Sequence, residues 1–252
     1  MRLLLDLGNT RLKWAVQDGD AWVARGAVAW NQDLADELLS AWRKWPAVQR
    51  VVGASVVDAE REAQLTALVV ASFGRAPEWL QTPAEACGVR NAYAQPQRLG
   101  IDRFLALVAA HAAGFAPCLL AGVGTALTLD ALAADGRHLG GLIAPGPQLM
   151  QQSLLGATVR VRPERPGQVL ELADNTADAV ASGCWQATVA LIERFVERMS
   201  PRLGGAPRLL LGGGDAETLL PLLAVPAQWI EDGVLHGLAV WVDAHPVPAA
   251  IE

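Results

Sequence analysis

The chain has 252 residues, 52% of them hydrophobic, and carries a formal net charge of −6. That length and apolar content can bury one large or two modest cores and excludes a disordered chain, while an acidic balance with no Lys/Arg stripe argues against nucleic acid as the main partner. Cys87, Cys118 and Cys184 are odd in number and form no C-x-x-C pair, which points away from a disulfide framework or zinc site and towards a reducing cytoplasm.

The first thirteen residues organise the rest. Met1 to Leu7 reads as a short apolar strand that runs into Gly8-Asn9-Thr10 and continues through Arg11-Leu12-Lys13. Glycine and asparagine tolerate the tight backbone of a turn. Exposed N–H groups, the Asn9 and Thr10 side chains and the Lys13 ammonium can converge on an anion there, and Asp6 at the strand end can reach a hydrated Mg²⁺. An ordinary hairpin with a solvent-facing carboxylate fits the same residues. The strand opens at once and meets Asp6, with no charged, apolar and cleavage regions in order, so no signal peptide is expected.

Leu12 to Val16 is a second strand, and Asp18-Gly19 turns the chain into a third over residues 21–28. Leu34, Leu38, Leu39, Trp42 and Trp45 recur at helical spacing and stop at Pro46. A strand over 50–57, a helix over 59–73 and an edge strand over 78–81 follow. Residues 82–99 form a long polar connection of the kind that usually carries function. A helix begins near Asp102 and ends near Gly114. Residues 104–129 contain no Asp, Glu, Lys or Arg, but Gly114, Pro117, Gly122 and Gly124 divide them into a buried helix and a buried strand, so no membrane span is expected.

The second half repeats the first. Pro117 to Asp130 is again strand, glycine turn and strand, and Asp135-Gly136 is again a hairpin signal. Gly8 and Gly124 are 116 positions apart, and Asp18-Gly19 and Asp135-Gly136 are 117 apart, the mark of duplicated βββα units. A short helix over 148–155 and a Pro/Arg-rich loop over 156–167 follow. A long helix opens at Asp174-Asn175-Thr176 and runs to Met199, with an apolar face of Val180, Cys184, Ala187, Leu191, Phe195 and Met199. A third strand-to-glycine turn, Arg208 to Asp215, leads into a helix and permits close approach of a flat or anionic ligand. A last helix spans 233–242. Each glycine turn alone is equally explained by tight packing; three at strand ends point to a nucleotide.

Tyr93 and Gly100-Ile101-Asp102-Arg103 carry the remaining chemistry. An Asp in the first turn of a helix stays ionised and can accept a proton from an attacking hydroxyl. Arg103 can hold a carboxylate or phosphoryl oxygen bidentately. A plain helix cap with a surface ion pair is the alternative. The four histidines form no metal-ligand spacing, and neither a G-x-S-x-G elbow nor a Walker A pattern is present.

Together these motifs resemble the type III pantothenate kinases, of the sugar kinase, Hsp70 and actin-like ATPase superfamily, over nearly the whole chain. The resemblance implies an α/β fold of two duplicated ribonuclease H-like (βββαβα) domains, 1–115 and 116–252, with a nucleotide cleft between them. It implies that ATP phosphorylates the 4′-hydroxyl of pantothenate in the first step of coenzyme A biosynthesis, in a cytoplasmic homodimer. Asp102 becomes the proton acceptor. Tyr93, Gly100, Ile101, Asp102, Arg103 and Thr176 become substrate contacts. Asp6, Leu7, Gly8, Asn9, Thr10, Arg11, Leu12 and Lys13, with Gly124, Thr125 and Gly213, become ATP contacts, and Asp6 the Mg²⁺ ligand. One departure concerns the monovalent cation. Many members have an Asp two residues before the second motif's glycine, where this chain has Gly122, so a K⁺ or NH₄⁺ requirement at that site is in doubt. Rival functions are a small-alcohol or sugar kinase of the same superfamily and a non-catalytic nucleotide-binding regulator.

Overall fold

The computed structural model describes residues 1–158 and 165–246; half of the expected Pro/Arg-rich loop, residues 159–164, lies outside them. The chain divides into two compact units, one running over Met1–Ala113 and resuming at Gly233, the other Gly114–Asp232.

In the first unit β1 (Arg2–Leu7), β2 (Arg11–Asp18) and β3 (Ala21–Ala29) form an antiparallel meander. After α1 (Leu34–Trp42), β4 (Arg50–Ser55) pairs parallel with β1. After α2 (Ala59–Phe73), β5 (Glu78–Trp79) pairs parallel with β4, giving the order β3-β2-β1-β4-β5. The ends of α2 follow from local chemistry: Asp58 accepts from the Arg61 N–H, and Gly74 closes the helix at φ +66°. Leu3, Leu4, Leu5 and Leu7 of central β1 are fully buried, so both of its faces contribute to the packing. Leu3, Leu5 and Leu7 pack with Leu38, Trp42, Leu65 and Val69.

The connection over 82–99 is ordered. It contains a two-stranded ladder, β6 (Glu85–Ala86) and β7 (Val89–Arg90), and a short 3-10 turn at Pro96–Arg98. Then comes α3 (Ile101–Ala112), whose Phe104, Leu105, Leu107 and Val108 are wholly buried.

The second unit repeats this order. β8 (Cys118–Val123), β9 (Ala126–Leu132) and β10 (His138–Pro145) form the meander, followed by α4 (Pro147–Ala157) and α5 (Thr176–Met199). β11 (Arg208–Gly212) pairs parallel with β8, α6 (Ala216–Leu219) follows, and β12 (Ala227–Trp229) pairs parallel with β11. The order β10-β9-β8-β11-β12 is that of the first sheet, so the fold is the expected α/β duplication.

Two details differ from the sequence pattern. The last helix, α7 (Gly233–Ala244), belongs to the first unit rather than the second. It lies on α3 so closely that a Cβ at Gly237 would sit 2.1 Å from the Leu105 carbonyl oxygen. The buried stripe of α5 is also rotated: Ala177, Ala181, Trp185, Thr188, Ile192 and Phe195 face the core, while Ala187 is exposed.

Candidate active site

The turn between β1 and β2 is closed by the Gly8 N–H donating to the Arg11 carbonyl at 3.1 Å. Leu7 and Leu12 flank it as a cross-strand pair, both fully buried. They anchor the turn in the core and can reach a ligand only through their backbone. Asp6 and Lys13 are the next pair outward, and directly opposite side chains share one face of the sheet. Asn9, Thr10 and Arg11 are exposed. Side chains from elsewhere meet this turn: the Trp30 indole donates to the Gly8 carbonyl at 2.8 Å, and Arg61 donates to the Asn9 carbonyl at 3.2 Å.

The second cluster sits at the start of α3. Gly100 is the N-cap at φ −53° and ψ 134°, a conformation open to any residue. Its lack of a side chain serves Asp102 instead: a Cβ at Gly100 would lie 2.4 Å from Asp102 Oδ1. The carboxylate therefore folds back over the glycine in the first helical turn, where the exposed N–H groups and helix dipole favour its negative charge. Arg103 is only 7% exposed, and its Nη1 donates to the Tyr93 hydroxyl at 3.3 Å.

The Tyr93 loop is held from both ends. Asn91 accepts from the Tyr93 N–H and donates to the Pro83 and Pro96 carbonyls, and Thr82 donates to the Leu99 carbonyl at 2.7 Å. Ile101 is buried and secures the helix start. Tyr93 thus meets Arg103, and Asp102 packs over Gly100, at the start of α3 in the first unit.

In the second unit the β8–β9 turn is closed by the Gly124 N–H donating to the Ala126 carbonyl. Gly146, just after β10, donates its N–H to the Thr125 carbonyl at 3.0 Å, and a Cβ there would lie 1.8 Å from the Gly124 oxygen. Gly213 has φ +96° and a would-be Cβ 2.2 Å from the Val123 carbonyl oxygen, so only glycine fits. Asp215 donates its N–H to that same carbonyl, and burial raises the pKa of its carboxyl. Gly122 lies opposite Thr128, and the space a Cβ would need is taken by the Thr128 hydroxyl, 2.7 Å away.

Thr176 is the first residue of α5, after its N-cap Asn175. It borders an open pocket of about 590 Å³ with Leu154, Val180, Gly183 and Cys184. The adjoining segment is tied to α5 through Asp178, which accepts from both Arg165 Nη atoms at 2.8 Å, from the Gln168 N–H at 2.7 Å and from Asn175 Nδ2 at 2.7 Å. The guanidinium beside Asp178 holds its carboxyl well below the usual carboxylate range.

Sequence patterns do not reveal Trp30, Arg61, Gly146 or Asp178. Position 146 was open to detection, because Gly146 follows Trp30 by the 116 positions that separate Gly124 from Gly8.

Comparison with known proteins identifies the family. A family model described as type III pantothenate kinase matches residues 2–198. A type III pantothenate kinase from Aromatoleum aromaticum is 43% identical over 95% of this chain and 97% of its own length. One from Xanthomonas campestris pv. campestris is 44% identical over 97% and 98%. Among solved structures, a candidate 2-dehydro-3-deoxygalactonokinase from Sinorhizobium meliloti is similar at a TM-score of 0.64 and 15% identity, covering 98% of this chain and 100% of that one. A 2-hydroxyisocaproyl-CoA dehydratase activator from Clostridium difficile, solved with bound ADPNP, is similar at 0.53 and 13%, covering 96% and 93%. At such identities the structural likenesses speak for the fold alone.

Proposed function

The chain belongs to the type III pantothenate kinase family, and we propose that it transfers the terminal phosphoryl group of ATP to the pantothenate 4′-hydroxyl with Asp102 as proton acceptor. The observation that carries the role of Asp102 is its carboxylate folded over Gly100 in the first turn of α3, beside the buried Arg103 and its Tyr93 partner. A base in that position takes the hydroxyl proton as the oxygen attacks phosphorus. Arg103 and Tyr93 supply donors for the substrate's carboxylate or amide, and Gly100 and Ile101 set the backbone around it. Thr176 adds a hydroxyl at a helix start.

Phosphoryl transfer asks little covalent chemistry of the protein, so positioning and charge neutralisation supply most of the rate. Asp6 to Lys13 bind phosphate oxygens, with Asp6 and Lys13 side by side across the strands. Gly124, Thr125 and Gly213 are the nucleotide contacts of the second unit. A single strand-end carboxylate fits Mg²⁺, which takes one or two protein carboxylates and fills its remaining positions with phosphate oxygens and water. The ion would be held by Asp6, and when bound it neutralises developing phosphate charge.

Asp102→Asn should leave ATP affinity nearly intact and lower kcat by about two orders of magnitude or more in a pantothenate-dependent ADP-release assay. Unchanged turnover would remove Asp102 from the mechanism, and preference for a sugar over pantothenate would remove the substrate assignment.

Potassium needs hard oxygen ligands, and Gly122 offers no side chain where Thr128 already fills the space. Initial rates should therefore be alike in sodium, potassium and ammonium salts. Strong activation by K⁺ mapped to this turn would overturn that expectation.

A homodimer accounts for the large apolar side chains exposed in the second unit, including Ile143 at 64% and Leu172 at 91%. Light scattering should give twice the chain mass, and a monomer at micromolar concentration would refute it. The cytoplasm fits the three free cysteines, and no helix among the described residues is long and apolar enough to cross a membrane.

A further inference from the structure

The turn at Gly8 and Asn9 is braced by two side chains distant in sequence. Trp30, the first residue after β3, donates its indole N–H to the Gly8 carbonyl, and Arg61 of α2 donates to the Asn9 carbonyl. The guanidinium carbon lies 5.3 Å from the Trp30 ring centroid, so the two braces also support each other. Asp58 accepts from the Arg61 N–H, and its carboxylate lies 3.6 Å from Arg61 Nε, offsetting part of the charge. Arg61 thereby acts chiefly as an oriented donor.

Peptide geometry carries this bracing to the other side of the turn. In a trans peptide the C=O and the N–H of the following residue are coplanar and point in opposite directions. Holding the Gly8 carbonyl fixes the direction of the Asn9 N–H, and holding the Asn9 carbonyl fixes that of Thr10. Both amides are turned away from Trp30 and Arg61. The Gly8 N–H is committed to the Arg11 carbonyl.

The second unit has a brace at the matching position. Gly146 is the first residue after β10, as Trp30 is after β3, and it holds the Thr125 carbonyl with its own N–H. Thr125 is the counterpart of Asn9, so the same place in the repeat reaches the turn in both copies, by an indole on the Gly8 carbonyl in one and by main chain on the next carbonyl along in the other.

We propose that Trp30 and Arg61 are positioning residues for polyphosphate binding. They lock two successive peptide planes so that the Asn9 and Thr10 amides are aimed at phosphate oxygens, without touching the nucleotide themselves. The proposal rests on reading Asp6 to Lys13 as the phosphate turn.

The test is equilibrium binding of ATP, ADP and adenosine to the full-length protein as wild type, Trp30→Phe, Arg61→Lys and Lys13→Met. Trp30→Phe keeps a six-membered aromatic ring beside Arg61 and removes the N–H together with the pyrrole part of the indole. Arg61→Lys keeps the charge and loses the planar fork. Each should weaken ATP and ADP binding roughly tenfold, the scale of losing one orienting hydrogen bond, while adenosine binding and the KM for pantothenate stay within about twofold. Lys13→Met should weaken ATP by at least as much. Wild-type ATP affinity in both Trp30→Phe and Arg61→Lys, with Lys13→Met impaired, overturns the bracing and leaves the phosphate turn standing. Unchanged ATP affinity in Lys13→Met overturns the phosphate turn itself. Equal weakening of adenosine and ATP in the brace variants marks a general structural defect and also overturns the proposal.

Discussion

Replacing Gly100 with alanine separates catalytic position from stability. The new Cβ would meet Asp102 Oδ1 at 2.4 Å and its Cγ at 3.6 Å. Carbon–oxygen contacts relax only near 3.4 Å, so the oxygen must withdraw by about 1 Å. It is the end of a short rotatable side chain, and φ −53° with ψ 134° at position 100 suits alanine. The fold should therefore lose less than about 1 kcal/mol. Catalysis should lose far more, because a misplacement of about 1 Å can cost roughly a hundredfold in rate, or about 2.7 kcal/mol of transition-state stabilisation. The assay is kcat from pantothenate-dependent ADP release for wild type, Gly100→Ala, Asp102→Asn and the double variant. If the alanine acts through the carboxylate, its effect should shrink to less than about threefold in the Asp102→Asn background. A Gly100→Ala enzyme with more than half the wild-type kcat, or the same loss in both backgrounds, would refute the reasoning.

Asp178 should make the fold acid-sensitive. Its folded pKa is depressed by Arg165, the Gln168 N–H and Asn175, so the stabilisation is present above the unfolded value of about 3.9 and is lost as pH falls below it. Protease cleavage after residue 165 should rise below about pH 4 in wild type, and Asp178→Asn should flatten that dependence; parallel curves would contradict it. Gly146→Ala drives a Cβ to within 1.8 Å of the Gly124 oxygen, so denaturant unfolding should show a loss of about 1–3 kcal/mol, and an unchanged midpoint would count against the tight turn. Burial pushes the Cys118 thiol up to about 12, so Cys118 should resist alkylation at pH 8 until the protein unfolds; labelling in the native state would show otherwise.

The sequence displays most of this architecture because its signals are local. Asn175 capping α5 through the Asp178 N–H and Gly74 closing α2 are choices of single residues, and the duplicated glycine turns announce both meanders. Sequence patterns mislead where buried polar groups enter an apolar stripe. On α5 the core-facing row includes Asp178, Ser182 and Thr188, each internally satisfied: Asp178 by Arg165 and two amides, Ser182 by the Leu170 N–H and Gln168 carbonyl, and Thr188 by the Cys184 carbonyl. A hydrophobic count passes over such positions and selects Val180 and Leu191 instead, one step around the helix. Chain order misassigns α7 for a related reason, since nothing local records that Gly237 is small to admit the backbone of α3.

The candidate site divides along the same line between local and distant determinants. Asp6, Gly8 and Lys13, or Gly100, Asp102 and Arg103, are readable because the residues that meet are sequence neighbours. The braces are not, because an indole at 30 and a guanidinium at 61 reach carbonyls at 8 and 9 only after the sheet has formed. Duplication narrows the search without completing it. It marks position 30 as the counterpart of position 146, yet one copy holds its turn with a side chain and the other with backbone. What the repeat preserves is a donor reaching the turn from the end of the third strand, while the carbonyl it holds moves by one residue, from Gly8 in the first copy to Thr125, the counterpart of Asn9, in the second. Trp30→Gly should accordingly fail to reproduce the second unit's solution, because Trp30 braces through its side chain, and ATP affinity should fall at least as far as in Trp30→Phe. Wild-type affinity in Trp30→Gly would show that the first turn keeps its amide directions unaided.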